Sequence, residues 1–240
     1  MVGYAYMIDP GYLMIFIVFL IISSLIGHQL KSRFRRYSKI PVNYGMTGKE
    51  VAEKMLHENG IHDVKVTSVQ GQLTDHYNPA AKTVNLSPDV YHGSSVTSAA
   101  IAAHECGHAV QHARAYAFLQ FRTALVPLQN ISAKIMNIIF AVMFFGFLFL
   151  PGVISFESAL YIIIACYAIF SLFALVTLPV EIDASRRALA WLNRSRITSY
   201  ETHDKAKDAL KWASYTYLVA AISSLAMLFY FIMLLGGRRN

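Results

Sequence analysis

The sequence predicts a mainly α membrane protein, with about four transmembrane helices and a cytosolic, zincin-like α+β insertion holding a short β-hairpin or edge strand. Three observations predict it. The chain of 240 residues is 55% hydrophobic and only 15% charged, against about 25% for soluble domains, and its mean hydropathy is +0.43. The apolar excess is gathered into four long runs. A polar stretch between them carries two histidines four residues apart, with a glutamate beside the first. These features exclude a wholly soluble enzyme and a disordered chain. The net charge of +7, from 21 basic and 14 acidic residues, reads as a signal orienting the chain in a bilayer and not as a nucleic-acid surface. Cys106 and Cys166 stand at unrelated positions, which argues against a disulfide framework.

The apolar runs cover residues 12–30, 135–154, 159–180 and 215–235. A helix rising about 1.5 Å per residue needs about 20 residues to cross about 30 Å of hydrocarbon, so each run is read as a transmembrane helix. The first is not a cleaved signal peptide, because only Asp9 precedes it and no small-residue cleavage site follows. Lys31, Arg33, Arg35 and Arg36 follow it instead. Positive flanks stay in the cytosol, so the N-terminus is expected outside. The second and third runs then form a hairpin, with an outer loop near Pro151 to Ser158. Arg186, Arg187, Arg194 and Arg196 agree with a cytosolic return at Glu181, whereas Arg238 and Arg239 are discordant. The two polar regions, 31–134 and 181–214, therefore face the same side and can share one site.

Within 31–134, Thr47-Gly-Lys-Glu50 is a capping box opening a helix, with Val51, Ala52, Met55 and Leu56 as its apolar stripe and Gly60 as its stop. Val64 to Val69 alternates as a strand does. Gly71 and Asn78-Pro79 mark turns, and Thr83 to Leu86 forms a second short strand. Ser87-Pro88-Asp89 starts a helical turn, and a longer helix is expected from Val96 to about Leu119. This helix is alanine-rich, but polar and histidine side chains near its middle make it one packed in protein and not facing lipid.

That helix contains His104-Glu105-Cys106-Gly107-His108. Residues four apart on a helix project from one face, offset by about 40° and about 6 Å of rise. Two imidazoles can thus meet one metal ion at about 2.0 to 2.1 Å. Glu105 is turned by about 100° from His104, where its carboxylate reaches a water on the metal without having to ligate it. The pattern is that of a zinc hydrolase, with zinc as Lewis acid and water activator and Glu105 as general base. Gly107 in a helix interior costs about 1 kcal/mol relative to alanine, a cost that a close approach by another element justifies.

A catalytic zinc takes a third protein ligand and keeps one open position. His112 lies eight residues from His104, about 12 Å along an unbroken helix, too far to share the metal. The metzincin spacing needs glycine at 111 and histidine at 114, where this chain has Gln111 and Arg114. Glu181, in LPVEIDASRRAL at the polar end of the third run, is the favoured third ligand, with Asp183 ranked below it.

The segments LTDHYNPAAKTVNLSPDVY (73 to 91), SVTSAAIAAHECGHAVQH (95 to 112) and EIDASRRAL (181 to 189), with the four runs in order, resemble the bacterial membrane-bound neutral zinc metallopeptidases, the YugP-like group. The resemblance covers essentially the whole chain. It implies one zinc ion per chain held by His104, His108 and Glu181, with Glu105 as catalytic base, in a multi-pass protein of the bacterial cell membrane. A more distant likeness is to the HtpX and CAAX-protease membrane peptidases, whose third-ligand motif reads E-F-x-A-D. Ser185 stands here in place of that aspartate, so the carboxylate that would orient a ligating histidine must come from elsewhere, with Asp75 as a candidate. In zinc peptidases an edge strand above the active-site helix pairs with the extended substrate backbone. Thr83, Val84, Asn85 and Leu86 are the candidate edge here. The oxyanion needs a donor besides zinc, and His76, Tyr77, Arg187 and His203 are the candidates.

The function expected is a zinc-dependent metalloendopeptidase acting on polypeptides at the cytosolic membrane face. Two other readings stand beside it. A site-2-type intramembrane protease would carry the motif in an apolar span and add an aspartate from another span. A non-catalytic zinc-binding scaffold would bind the ion without turnover. A transporter is disfavoured because the apolar runs hold almost no ionisable residue.

Overall fold

The computed structural model describes residues 9–149 and 155–237. Part of the loop expected near Pro151 to Ser158, and the discordant Arg238 and Arg239, lie outside the described residues. The protein is mainly helical, with four long apolar helices and a small sheet among them. In chain order the elements are α1 (Pro10–Tyr37), α2 (Gly48–Glu58), β1 (Lys65–Ser68), β2 (His76–Asn78), β3 (Thr83–Leu86), α3 (Pro88–Tyr91), α4 (Val96–Ala113), α5 (Ala117–Phe149), α6 (Phe156–Arg194) and α7 (Tyr200–Gly236). Helices α1, α5, α6 and α7 are long and apolar enough to cross a membrane, which supports a multi-pass topology. They outrun the apolar stretches that define them. α6 has 39 residues and α7 has 37, nearly twice the roughly 20 that a span requires. α6 runs on through Pro179 past its apolar stretch, so Glu181 is carried on a helix and not on a loop.

The chain divides into two units. One gathers the described residues of 1–25, 121–178 and 217–240 around a core of Met136, Ile139, Leu160, Ile163, Met227 and Phe231. The other comprises Ile26–Gln120 and Pro179–Thr216. Its core includes Val51, Met55, Leu86, Val96, Leu192 and Ile197, each at most 2% exposed. Within this second unit, α1 and α7 are tied by Asp208. It accepts bonds from Arg33 Nε at 2.8 Å and from the Tyr37 hydroxyl at 2.7 Å, while the Arg33 guanidinium lies 4.3 Å from the centre of the Trp212 ring.

Helix α2 starts where its sequence says it should. The Thr47 N–H donates to Glu50 Oε2 at 2.7 Å and the Glu50 N–H donates to Thr47 Oγ1 at 3.3 Å, closing the capping box. The stripe of Val51, Ala52, Met55 and Leu56 is buried. Gly60, at φ +74°, leaves the helix in a conformation that glycine adopts without steric cost. Helix α4 ends at Ala113, six residues short of the expected Leu119. Ala115 takes φ +50°. The Tyr116 N–H then reaches back to the Gln111 carbonyl at 2.9 Å and the Ala115 N–H to that of His112 at 3.1 Å, satisfying carbonyls the broken helix leaves open. The next helix begins at Ala117 and runs unbroken through the expected boundary at 134 and 135.

The sheet corrects one expectation. The strand order is β1-β3-β2, with β3 parallel to β1 and antiparallel to β2. Thr83, Val84, Asn85 and Leu86 therefore form the central strand, with both sides already paired, and cannot be the open edge. Val84 and Leu86 are fully buried. The error has a physical source: β2 is only three residues, His-Tyr-Asn, too short and too polar to register as a strand by alternation. Asn78 then turns the chain, its Oδ1 accepting the Ala80 and Ala81 N–H groups at 3.0 Å.

Helix α4 lies under the sheet and against α6. A Cβ added at Gly107 would sit 2.6 Å from the Ala184 carbonyl oxygen, so glycine at 107 lets the two backbones touch. Gly107→Ala should therefore destabilise the protein by about 1–3 kcal/mol through overpacking, although alanine is favoured over glycine by about 1 kcal/mol in a free helix. Thermal unfolding in detergent measures this; a midpoint unchanged or raised would remove the contact from the account.

Candidate metal centre

Helix α4 presents His104 and His108 on one face, and α6 brings Glu181 to them. His104 Nε2 lies 3.3 Å from Glu181 Oε2, and His108 Nε2 lies 3.5 Å from the same oxygen. All three donor atoms fall within 4.8 Å of one another. Ligands on a tetrahedral ion at about 2.05 Å stand about 3.3 Å apart, so the two shorter separations match a zinc sphere. Two neutral imidazoles and one carboxylate offer one negative charge to a divalent cation. Burial drives the Glu181 carboxyl upward, but its bonds to His104 and His108 outweigh that and hold it well below the usual carboxylate range. Burial likewise pushes the His108 imidazole down, and Glu181 more than restores it, leaving it above the ordinary value.

The second nitrogen of each imidazole is also engaged. His104 Nδ1 lies 3.1 Å from Ser185 Oγ, and His108 Nδ1 lies 3.0 Å from Gln111 Oε1. Gln111 is fully buried, and its amide nitrogen donates to the Val180 carbonyl and to Asp183 Oδ2, each at 2.8 Å. With both amide hydrogens spent on oxygens, the Gln111 carbonyl faces His108 as an acceptor. His108 must then carry its proton on Nδ1, which leaves Nε2 free for a metal. Asp183 also accepts from Arg187 Nε at 2.6 Å. The preference for Glu181 over Asp183 thus has a structural basis, since Asp183 is committed to holding Gln111.

Glu105 is buried beside the three donors but stands outside their cluster. Its Oε2 accepts the Tyr77 backbone N–H at 3.0 Å, so β2 lies directly over the α4 helix. The Tyr77 hydroxyl lies 2.9 Å from His112 Nδ1, which places His112 at the rim and away from the donors. Of the four oxyanion or substrate candidates, Tyr77 alone touches Glu105. His76 is bonded to the Thr74 carbonyl and to Asn85, Arg187 to Asp183, and His203 to Thr198. Asp75 binds the Ser87 N–H at 2.7 Å and its hydroxyl at 3.1 Å, so the orienting role falls to Gln111 and Ser185. Both signals were in the spacing: Gln111 follows His108 by three and Ser185 follows Glu181 by four, each on the ligand's own face. Cys106 points away, its thiol directed at the Ala52 carbonyl 3.5 Å off and pushed up by burial.

Fold and donor set together define a class: a multi-helix membrane protein with a buried His-His-Glu cluster fit for zinc. The chain belongs to the family described as "Putative neutral zinc metallopeptidase", which matches residues 12–236. It is 38% identical over 212 residues to the "Putative membrane protease YugP" of Bacillus subtilis (strain 168), an alignment covering 88% of this chain and 90% of that protein. No solved structure matches.

The Gln111 bridge yields a measurable consequence. Gln111→Leu keeps the volume but removes the acceptor, and zinc affinity should fall about 10- to 100-fold, as for other groups that orient a metal-bound histidine. Competition against a chromophoric chelator reads the affinity directly, and a value equal to that of the wild type would refute the orienting role.

Proposed function

We propose that this protein is an integral-membrane zinc metalloendopeptidase in which His104, His108 and Glu181 hold one zinc ion per chain and Glu105 is the general base. The observation that carries this reading is the donor cluster at zinc spacing, with a buried carboxylate beside it that the cluster does not use. Zinc bound there supplies Lewis-acid polarisation and lowers the pKa of water. Glu105 takes the proton from the attacking water and returns it to the leaving amine, and the imidazole geometry set by Ser185 and Gln111 keeps the donors aimed throughout.

The substrate is a polypeptide in extended form. Its edge is assigned to β2 in place of β3. Tyr77 turns its N–H away from β3 and toward Glu105, so its backbone faces the site, where an extended chain can add as a further strand. Helix α4 is not among the described helices apolar enough to cross a membrane, which favours a membrane-anchored peptidase over a site-2-type intramembrane protease. The basic residues after α1's apolar stretch and at the end of α6 support a cytosolic site with the N-terminus outside.

The full chain purified in detergent should bind one zinc and cleave an unfolded casein-type substrate. Glu105→Gln should lower cleavage by about 100- to 10,000-fold with the zinc content unchanged. Cleavage retained in Glu105→Gln refutes the assigned base, and zinc bound without turnover of any substrate makes the protein a scaffold.

A further inference from the structure

Helices α6 and α7 enclose a groove of about 460 Å³ in the second unit. Ile182, Arg186 and Leu189 line it from α6, and His203, Lys207 and Lys211 from α7. No carboxylate is among the described residues that line it. Arg186, Lys207 and Lys211 are also left out of the ion pairs of the described residues, whereas Arg33, Lys49, Lys54, Lys82 and Arg187 each have an acidic partner. Lys211 rests over the Tyr215 ring, 5.6 Å from its centre, but no acid neutralises any of the three within the groove, and a cleft lined by one sign of charge concentrates counter-charges. The groove adjoins the metal centre: Ser185, which also lines it, is the residue bonded to His104 Nδ1.

We propose that this groove binds an acidic stretch of the polypeptide substrate next to the scissile bond, so that the enzyme prefers acidic over basic sequences there. The inference rests on the peptidase reading and adds the substrate class. Dimensions and chemistry both fit a peptide. The lining positions on α6 run from Ile182 to Asn193, about 16 Å at 1.5 Å per residue, the length of about five residues of extended chain. Leu189, Ala190 and Leu210 give the strip apolar ground between its charges. An anionic lipid headgroup would need only the end at Ile182 and Ser214, next to the apolar stretches. The basic lining instead continues down α7 away from that end, to Lys207 and His203, seven and eleven residues before Ser214 and so about 10 and 16 Å along the helix.

The test uses the full zinc-loaded chain in uncharged detergent and two peptides that differ only in glutamate or lysine flanking a common cleavable core. The wild type should favour the acidic peptide in kcat/KM by about tenfold at low ionic strength, a ratio that shrinks as salt is added. The triple variant R186E/K207E/K211E should reverse the ranking while its zinc content stays the same. Binding of the fluorescein-labelled acidic peptide, followed by anisotropy, separates the two readings. Salt-sensitive binding that the triple variant loses, with neither peptide cleaved, supports the groove and overturns the peptidase. Equal cleavage of both peptides overturns the groove and leaves the peptidase. An unchanged peptide ratio with weaker retention of phosphatidylglycerol over phosphatidylcholine in the triple variant also overturns it, making the groove a headgroup surface.

Discussion

The structure depends on one buried carboxylate held between two imidazoles. An isolated charge taken out of water costs several kcal/mol unless it is paired, and Glu181 is only 2% exposed. His104 and His108 help to make that placement tolerable. The same three groups are what a divalent cation would need, so the contact that reconciles Glu181 with the protein interior also assembles the ligand set. The two ring nitrogens facing away from Glu181 are engaged by Ser185 and Gln111, so neither imidazole is free to turn.

Such a contact requires two helices to come close enough for short side chains to meet. The sequence around the motif is built for that. Ala102, Ala103, Cys106 and Ala109 are buried to within 1%, and Gly107 abuts the Ala184 backbone. A larger residue at 107 would press on the Ala184 backbone, three residues from Glu181, and a zinc sphere with bonds of about 2 Å would tolerate little displacement there. Helix propensity is sacrificed at Gly107 for geometry at Glu181.

Much of this was legible in the sequence because it depends on helical period. The four apolar runs, the Thr47 to Glu50 cap, the facing histidines and the offset Glu105 all follow from residue spacing along one helix. Glu181 was reachable because its helix continues out of an apolar run into a polar segment. What spacing does not carry is pairing between segments distant in sequence. β2 is three residues long and gains strand character only from its ladder with β3, so the sheet order, and with it the identity of the open edge, could not be read by alternation. Helix α4 ends before its expected residue for a related reason, since the positive φ at Ala115 is imposed on a residue that local propensity leaves in the helix. Asp75, 29 residues before His104, is a candidate partner for a metal ligand by its acid type alone; the fold spends it on Ser87 instead.

The stretch of α6 from Val180 to Asn193 shows how one helix can serve several tasks. Glu181 and Ser185, four apart, face α4 and set the donors. Asp183 and Arg187, also four apart, are turned by about 200° from Glu181 and Ser185, and Asp183 reaches Gln111 there to lock the tautomer of His108 from the other flank. Ile182, Arg186, Leu189 and Asn193 form a third stripe, which lines the groove shared with α7. Each stripe keeps the period of three to four residues that an unbroken helix allows. Because the three are rigidly phased, a change in the pitch or rotation of α6 moves ligand, tautomer lock and groove wall together. In the proposed peptidase, substrate contacts on the helix that carries Glu181 would thereby couple recognition to the alignment of the donors through a single element, with no loop between them to absorb the strain.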